Sequence, residues 1–90
     1  MAIKLAPDSA TYLNYRAQSY VRSGRIQQGL ADIEAALTLL PDDPRLLNTR
    51  GEIFEALGQR DDAISDYRQA LKHDPSAQPS KDGLIRLGVR

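Results

Sequence analysis

Hydrophobic residues recur along this chain every three or four positions, which is the spacing of one face of an α-helix. Leu13, Ala17 and Tyr20 follow this spacing, with mostly polar residues between them. No stretch alternates apolar and polar residues as a half-buried strand does. The pattern therefore predicts helices and no strands. The further stretches with helical spacing are residues 26–37, 47–54 and 63–71.

Residues with special backbone or capping properties predict where these helices begin and end. Gly24 and Gly58 follow the first helix of each pair, and glycine closes a helix C-terminus without strain because it lacks a Cβ atom. Asp43 followed by Pro44 is typical of an N-cap and the first helical position. We expect Ser9 to be the matching N-cap one unit earlier.

The two helix pairs are copies of one unit. Prolines fall at Pro7, Pro41 and Pro75, which are 34 residues apart each time. Aligning residues 10–43 with 44–77 gives eight identical positions out of 34, whereas chance would give about two. A pair of helices of this length cannot bury its apolar face alone and must stack on neighbouring units.

These repeats resemble the tetratricopeptide repeat family, whose pattern combines this period with small and large residues at fixed positions. The first repeat departs from the family pattern at Gly29 and Ile33. The resemblance implies an all-α fold, in which antiparallel helix-turn-helix repeats form a short right-handed superhelical solenoid of about five helices. The second repeat matches at Leu47, Gly51, Phe54, Ala63, Tyr67, Ala70 and Pro75.

The repeat boundaries predict the domain organisation. Residues 1–8 look like the remnant of a preceding repeat, residues 9–43 form the first repeat and residues 44–77 the second. Residues 78–90 do not continue the pattern and are expected to form a C-terminal capping helix that covers the open face of the second repeat. We interpret the chain as a piece of a longer array, and a short native protein with a vestigial leader is the alternative.

The composition excludes several classes of partner but does not indicate a particular one. The chain has 12 basic and 12 acidic residues and a formal net charge of zero, so we expect neither a nucleic acid partner nor a membrane partner. It has no cysteine and a single histidine, His73, which we interpret as a surface residue at a helix end. No cofactor or metal is expected. No signal peptide or membrane span is predicted, and the expected location is the cytoplasm.

Arginine and aspartate recur together in both repeats. Arg16 and Asp32 are 16 residues apart, and so are Arg50 and Asp66. Because the two helices of a repeat run antiparallel, each arginine can reach the aspartate on an adjacent helix. A structural ion pair is the favoured interpretation, and the alternative is an arginine that binds a ligand carboxylate.

The resemblance also implies a site, because in this family the first helix of each repeat lines a concave groove that binds peptides. Asparagine side chains in that groove, Asn14 and Asn48, can pair with a peptide backbone whatever its sequence. Tyr15 is the candidate exposed aromatic residue. An ordinary solvated helix face is the alternative. The predicted groove residues are Thr11, Asn14, Tyr15, Gln18, Arg22, Arg45, Asn48, Glu52 and Glu55, with Val21 beside them.

One subtype of the family binds the C-terminal carboxylate of chaperones through a clamp of lysine, asparagine and arginine. The positions of that clamp fall here on Asn14, Gln18, Thr49, Pro79 and Gly83. None of these residues is basic, so the sequence does not favour recognition of a chaperone tail.

The resulting hypothesis is a non-catalytic module that binds a protein or peptide partner in the groove. Two alternatives stay open. The chain could be a structural segment that extends an array or forms a homodimer, or it could be an accessory domain of a larger enzyme.

Overall fold

The computed structural model describes residues 7–89, so the predicted remnant of a preceding repeat lies mostly outside the described residues. The described part of the chain folds into five α-helices and has no strand. The helices are α1 (Pro7–Arg22), α2 (Ile26–Leu39), α3 (Pro44–Ala56), α4 (Arg60–His73) and α5 (Gln78–Arg86).

The helices are arranged as two helix pairs and one added helix. α1 packs along α2, and α3 packs along α4, through short turns that make the partners of each pair antiparallel. α3 also packs against α2 and α1, and α5 packs against α4 and α3 in the same way. This confirms the prediction of an all-α repeat structure.

The predicted helix ends are confirmed at most positions. Asp43 is the N-cap of α3, where its side chain accepts a hydrogen bond from the backbone N–H of Arg45. Gly24 and Gly58 have φ angles of +82° and +76°, a conformation that costs other residues energy. The prediction for Ser9 as the N-cap was wrong, because Ser9 lies inside α1 (Pro7–Arg22). Proline suits the first turn of a helix, where a backbone N–H has no helical partner.

The core of the second repeat is built around the ring of Tyr67. This side chain is fully buried on α4, and Gly51 of α3 and Gly83 of α5 lie against its opposite edges. A Cβ atom at Gly51 would come within 2.7 Å of the ring, and one at Gly83 within 2.5 Å. The absence of side chains at both glycines therefore makes room for the ring, which joins three helices.

In the first repeat, different residues fill the space between the two helices. At the positions of Tyr67 and Gly51 it has Ile33 and Ala17, both fully buried, so a smaller core residue is combined with a larger neighbour. Gly29 allows close approach of α1 and α2, because a Cβ atom there would lie 2.9 Å from the carbonyl oxygen of Ala17. The departure of this repeat from the family pattern thus changes only which residues fill the contact between α1 and α2.

The predicted ion pair in the first repeat is also present. Arg16 donates from Nε to Asp32 at 2.6 Å and from Nη2 at 2.9 Å. The guanidinium lies over the rings of Tyr12 and Tyr20, 5.4 and 5.8 Å from their centroids. Nε2 of His73, at the end of α4, lies 3.4 Å from Oδ1 of Asp42 in the turn between the two repeats.

Candidate functional site

Two cavities between α1 and α3, the first helices of the two repeats, form a groove, and residues at the start of α5 border one of them. Its larger cavity has a volume of about 320 Å³ and includes residues from all three helices. The lining residues are Asn14, Tyr15, Gln18, Pro44, Arg45, Asn48, Thr49, Asp74, Ala77, Pro79 and Ser80.

Asn14 is the most unusual residue of this cavity. Its side chain is only 6% exposed, because it follows Ala10 by one helical turn on the buried stripe of α1. Its Oδ1 atom is buried and has no hydrogen-bond partner among the described residues. A buried acceptor without a donor costs about 1–3 kcal/mol, so this oxygen is poised to accept a hydrogen bond.

Asn48 occupies the same position one repeat later and has different surroundings. Its Oδ1 accepts a hydrogen bond of 3.1 Å from the hydroxyl of Ser80 on α5. Its Nδ2 donates to Glu52 at 3.3 Å. Ser80 of α5 thus satisfies the second asparagine internally, whereas the acceptor of the first has no donor among the described residues.

Arg45 lines the same cavity, but its charge is partly neutralised. Its guanidinium donates to both carboxylate oxygens of Asp43, at 3.1 and 2.9 Å. These side-chain hydrogen bonds hold the pKa of Asp43 below its usual range despite partial burial. Tyr15, by contrast, is 64% exposed, as expected for a binding aromatic residue.

A second cavity of about 250 Å³ continues the groove toward the C-terminal ends of α1 and α3. Gln18 and Thr49 line both cavities. Burial is the main cause of a raised pKa for Glu52 in this part of the groove, and the nearby negative charge of Glu55 adds to it. The residues that line the second cavity are Gln18, Val21, Arg22, Thr49, Glu52 and Ile53.

Most of the residues predicted for the groove line one of these two cavities. Thr11 and Glu55 line neither of them. Glu55 instead bonds with Tyr67 and Arg86, beside α5. The sequence reasoning missed Thr49, which is buried between the helices, and the residues at the start of α5. The residues at the start of α5 lie outside the repeat pattern, so the repeat spacing does not indicate which of them reach the cavity.

The tetratricopeptide repeat family model matches residues 18–82. The chain belongs to the tetratricopeptide repeat family. The match includes the second helix of the first repeat and all of the second repeat. It also extends into α5, the helix that packs against α4 and α3 of the second repeat.

The tetratricopeptide repeats of this chain are similar to parts of much longer proteins. The chain is 36% identical over 85 residues to Hsp70-Hsp90 organizing protein 1 of Glycine max, covering 94% of this chain and 15% of that protein. It is 37% identical over 86 residues to Translocon at the outer membrane of chloroplasts 64 of Pisum sativum, covering 96% of this chain and 14% of that protein. Hsp70-Hsp90 organizing protein 3 of Arabidopsis thaliana is 33% identical over 85 residues, with coverage of 94% and 15%.

Within residues 7–89, no helix is both long enough and apolar enough to span a bilayer.

Proposed function

We propose that this chain is a non-catalytic protein-interaction module, which binds a peptide segment of a partner protein in the groove between α1 and α3. The observation that carries this proposal is that Asn14 lines the groove, while its buried Oδ1 has no donor among the described residues. A backbone N–H of a bound peptide would supply that donor. The relatives, with names that describe an organizer of two chaperones and a translocon, support a role in protein association.

The groove favours a different ligand from a chaperone tail. Four of the five positions of the chaperone-binding clamp line the larger cavity, and they carry Asn14, Gln18, Thr49 and Pro79. A terminal carboxylate needs cations, and the one arginine of this cavity is paired with Asp43. We therefore propose that the ligand is bound through its backbone and side chains, without a free C-terminus.

Titration of the ¹⁵N-labelled chain, followed by NMR, tests this proposal. The probes are synthetic peptides with the C-terminal residues of Hsp70 and Hsp90, the same peptides with an amidated C-terminus, and a library of peptides blocked at both ends. We expect blocked peptides to shift the amide signals of α1 and α3, and amidation to leave the affinity of the chaperone peptides unchanged.

Two results would contradict the proposal. One is that no peptide of the library shifts any groove signal at millimolar concentration. The other is that binding depends on the free carboxylate, since this would require a cation that the proposal leaves out. Arg45→Ala would then identify the cation, if it abolished that dependence.

Self-association is the second candidate function, and one observation favours it. Ile85 on α5 is 71% exposed. It lies one 34-residue period after Gly51 of α3, and Gly51 packs against Tyr67 of its partner helix α4. A second copy of the chain could cover this side chain. Sedimentation at several concentrations tests this: a monomer at the highest concentration argues against it, and a dimer that Ile85→Lys dissociates supports it.

A further inference from the structure

The helix α5 has the register of the first helix of a further repeat. Its buried residues Ser80 and Gly83 lie one 34-residue period after Leu46 and Thr49, which are buried on α3. α5 packs against α4 and α3, just as α3 packs against α2 and α1. The same side of the helix therefore faces the preceding repeat in α3 and in α5.

The opposite side of α5 is not covered by a helix. In α3 this side carries Arg50 and Gly51, which contact α4. One period later α5 carries Leu84, which is half-buried, and Ile85, which is 71% exposed. We call these two residues the outer face of α5. Within residues 7–89, α5 packs against α4 and α3 alone, and neither of them covers this face.

The two complete repeats show how residue sizes are matched between a first and a second helix. Gly51 lies against the ring of Tyr67, whereas the first repeat has Ala17 and Ile33 at these positions, both fully buried. A larger residue on the first helix is thus combined with a smaller residue on the second, because a packed contact leaves little spare volume. Ile85 is larger still, so a helix that covers it needs alanine or glycine at the position of Tyr67.

The neighbouring position determines the charge of such a helix. In both repeats an arginine of the first helix pairs with an aspartate of the second helix. α5 has Leu84 at the position of the arginine. An aspartate opposite Leu84 would be buried without a cation, which is strongly unfavourable. The covering helix therefore needs an apolar residue there, so α2 and α4 of a second copy, which carry the aspartates Asp32 and Asp66, do not fit.

A third contact is indicated by the charges around Arg50. The hydrogen bonds to Asp66 are the main cause of the raised pKa of Arg50, and the charges of Glu34 on α2 and Asp62 on α4 add to it. Arg68 lies one period after Glu34, is exposed and forms no ion pair with another described residue. A covering helix with an acidic residue at the position of Asp62 would bring that acid near this cation.

We propose that the outer face of α5 binds an amphipathic helix of a partner protein, in the way that α3 binds α4. The bound helix has an acidic residue at the position of Asp62. It differs from α4 in having an apolar residue at the position of Asp66 and alanine or glycine at the position of Tyr67. This face is separate from the groove between α1 and α3, so the inference goes beyond the proposed function. A second copy of the chain is the competing occupant.

Synthetic helical peptides test this inference against the full chain. The probe is a labelled peptide of residues 59–74, blocked at both ends, with the exchanges Asp66→Leu and Tyr67→Ala. Two control peptides carry only one of these exchanges each. We expect the doubly exchanged peptide to bind at least about tenfold more tightly than either control in fluorescence anisotropy. One control buries an unpaired charge, and the other overfills the contact with Ile85.

Substitutions on the outer face should change these preferences in a defined way. Leu84→Arg supplies a cation and should favour the control peptide that keeps Asp66, and Ile85→Gly should favour the one that keeps Tyr67. Ile85→Asp should weaken binding of the doubly exchanged peptide about tenfold, at an unchanged melting temperature because the side chain is exposed. Tyr12→Asp, at a similarly exposed residue of α1, is the matched control and should leave the affinity unchanged.

The outcomes distinguish the two occupants of the outer face. A chain that sediments as a monomer and binds the doubly exchanged peptide in preference to the controls supports the partner helix. A dimer that Ile85→Asp dissociates would show that a second copy covers this face and would overturn the inference. Equal affinities for the three peptides, or no binding at millimolar concentration, would also overturn it and leave peptide binding in the groove intact.

Discussion

Arg50 of α3 donates one hydrogen bond to each carboxylate oxygen of Asp66 on α4, and both bonds are 2.8 Å long. The side chain of Asp66 is only 5% exposed, whereas that of Arg50 is 28% exposed. Removing one partner of such a pair leaves the other charge without compensation in a largely buried site. The arginine is further ordered by its position over the ring of Phe54.

Asp66→Ala should therefore strongly destabilise the chain. We expect the free energy of unfolding to fall by about 3 kcal/mol, since the substitution leaves a partly buried guanidinium without its counter-ion. Urea denaturation followed by circular dichroism measures this change. Asp62→Ala removes an exposed acid from the same helix and should cost less than about 1 kcal/mol. Equal losses in the two variants would refute a structural role for the pair.

This ion pair was predictable from sequence, and so was the packing of α5 on the open face of the second repeat, whereas the side-chain contacts of α5 were not. Antiparallel helices bring positions 16 residues apart together in both repeats, and the 34-residue period repeats that geometry. The contact between Gly83 and Tyr67 depends on how a helix outside the repeat pattern settles on α4. No local spacing encodes that contact. The prediction of Ser9 as an N-cap failed for a different reason. Serine is common at the N-cap of a helix, but Ser9 lies inside α1.

Gly51→Ala should destabilise the chain although alanine favours helix formation. The added methyl group would clash with the ring of Tyr67, and overpacking of a core typically costs about 1–3 kcal/mol. Tyr67→Ile should relieve the clash, because the first repeat packs Ile33 with Ala17 at these positions. Thermal unfolding of both single variants and the double variant gives the coupling energy. We expect the double variant to be more stable than the sum of the two losses predicts.

Gly24→Ala provides the control for this cycle. A Cβ atom at Gly24 would meet open space, but the φ angle there is +82°, so the expected loss of about 1 kcal/mol comes from backbone strain. It should be simply additive with Tyr67→Ile. Coupling of similar size in both cycles would show that the ring does not specifically exclude a side chain at Gly51.

The candidate site was predictable in outline but not in its energetic details. Family resemblance placed the groove on α1 and α3, and Asn14, Gln18 and Asn48 do line one cavity. The two asparagines are equivalent in sequence. Only the position of Ser80 shows that Asn48 is satisfied internally while Asn14 is not. Whether a polar group has a partner depends on residues 32 positions away, which the sequence pattern does not reveal.

Asp43→Ser should change the charge of the groove without removing the cap of α3. Serine caps a helix about as well as aspartate, but it cannot pair with Arg45 as Asp43 does. The freed guanidinium should raise the affinity of acidic peptides about threefold at low salt, a gain typical of one exposed ion pair. Titration of blocked peptides of either charge, at low and high salt, measures this. A gain that persists at high salt, or that is equal for basic peptides, would contradict the explanation.

The last prediction concerns the hydrogen-bond network that fastens α5. Glu55 accepts a hydrogen bond from the hydroxyl of Tyr67 and another of 2.8 Å from Nη2 of Arg86. Burial opposes ionisation of Glu55, but the hydrogen bonds from Arg86 and Tyr67 outweigh it and hold the pKa of Glu55 below its usual value of 4.5. The ionised carboxylate thus stabilises the folded chain.

Because the pKa is lowered on folding, this contribution is fully present above pH 4.5 and is lost as the pH falls through the folded-state value. Glu55→Gln should cost about 1 kcal/mol at pH 7, and the difference from the wild-type chain should shrink as the pH falls through the folded-state pKa of Glu55. Urea unfolding at a series of pH values measures both curves. Repeating the exchange in an Arg86→Gln background provides the control, since most of the difference should vanish when the cation is absent. Parallel curves for the wild type and Glu55→Gln across this range would show that the carboxylate does not fasten α5.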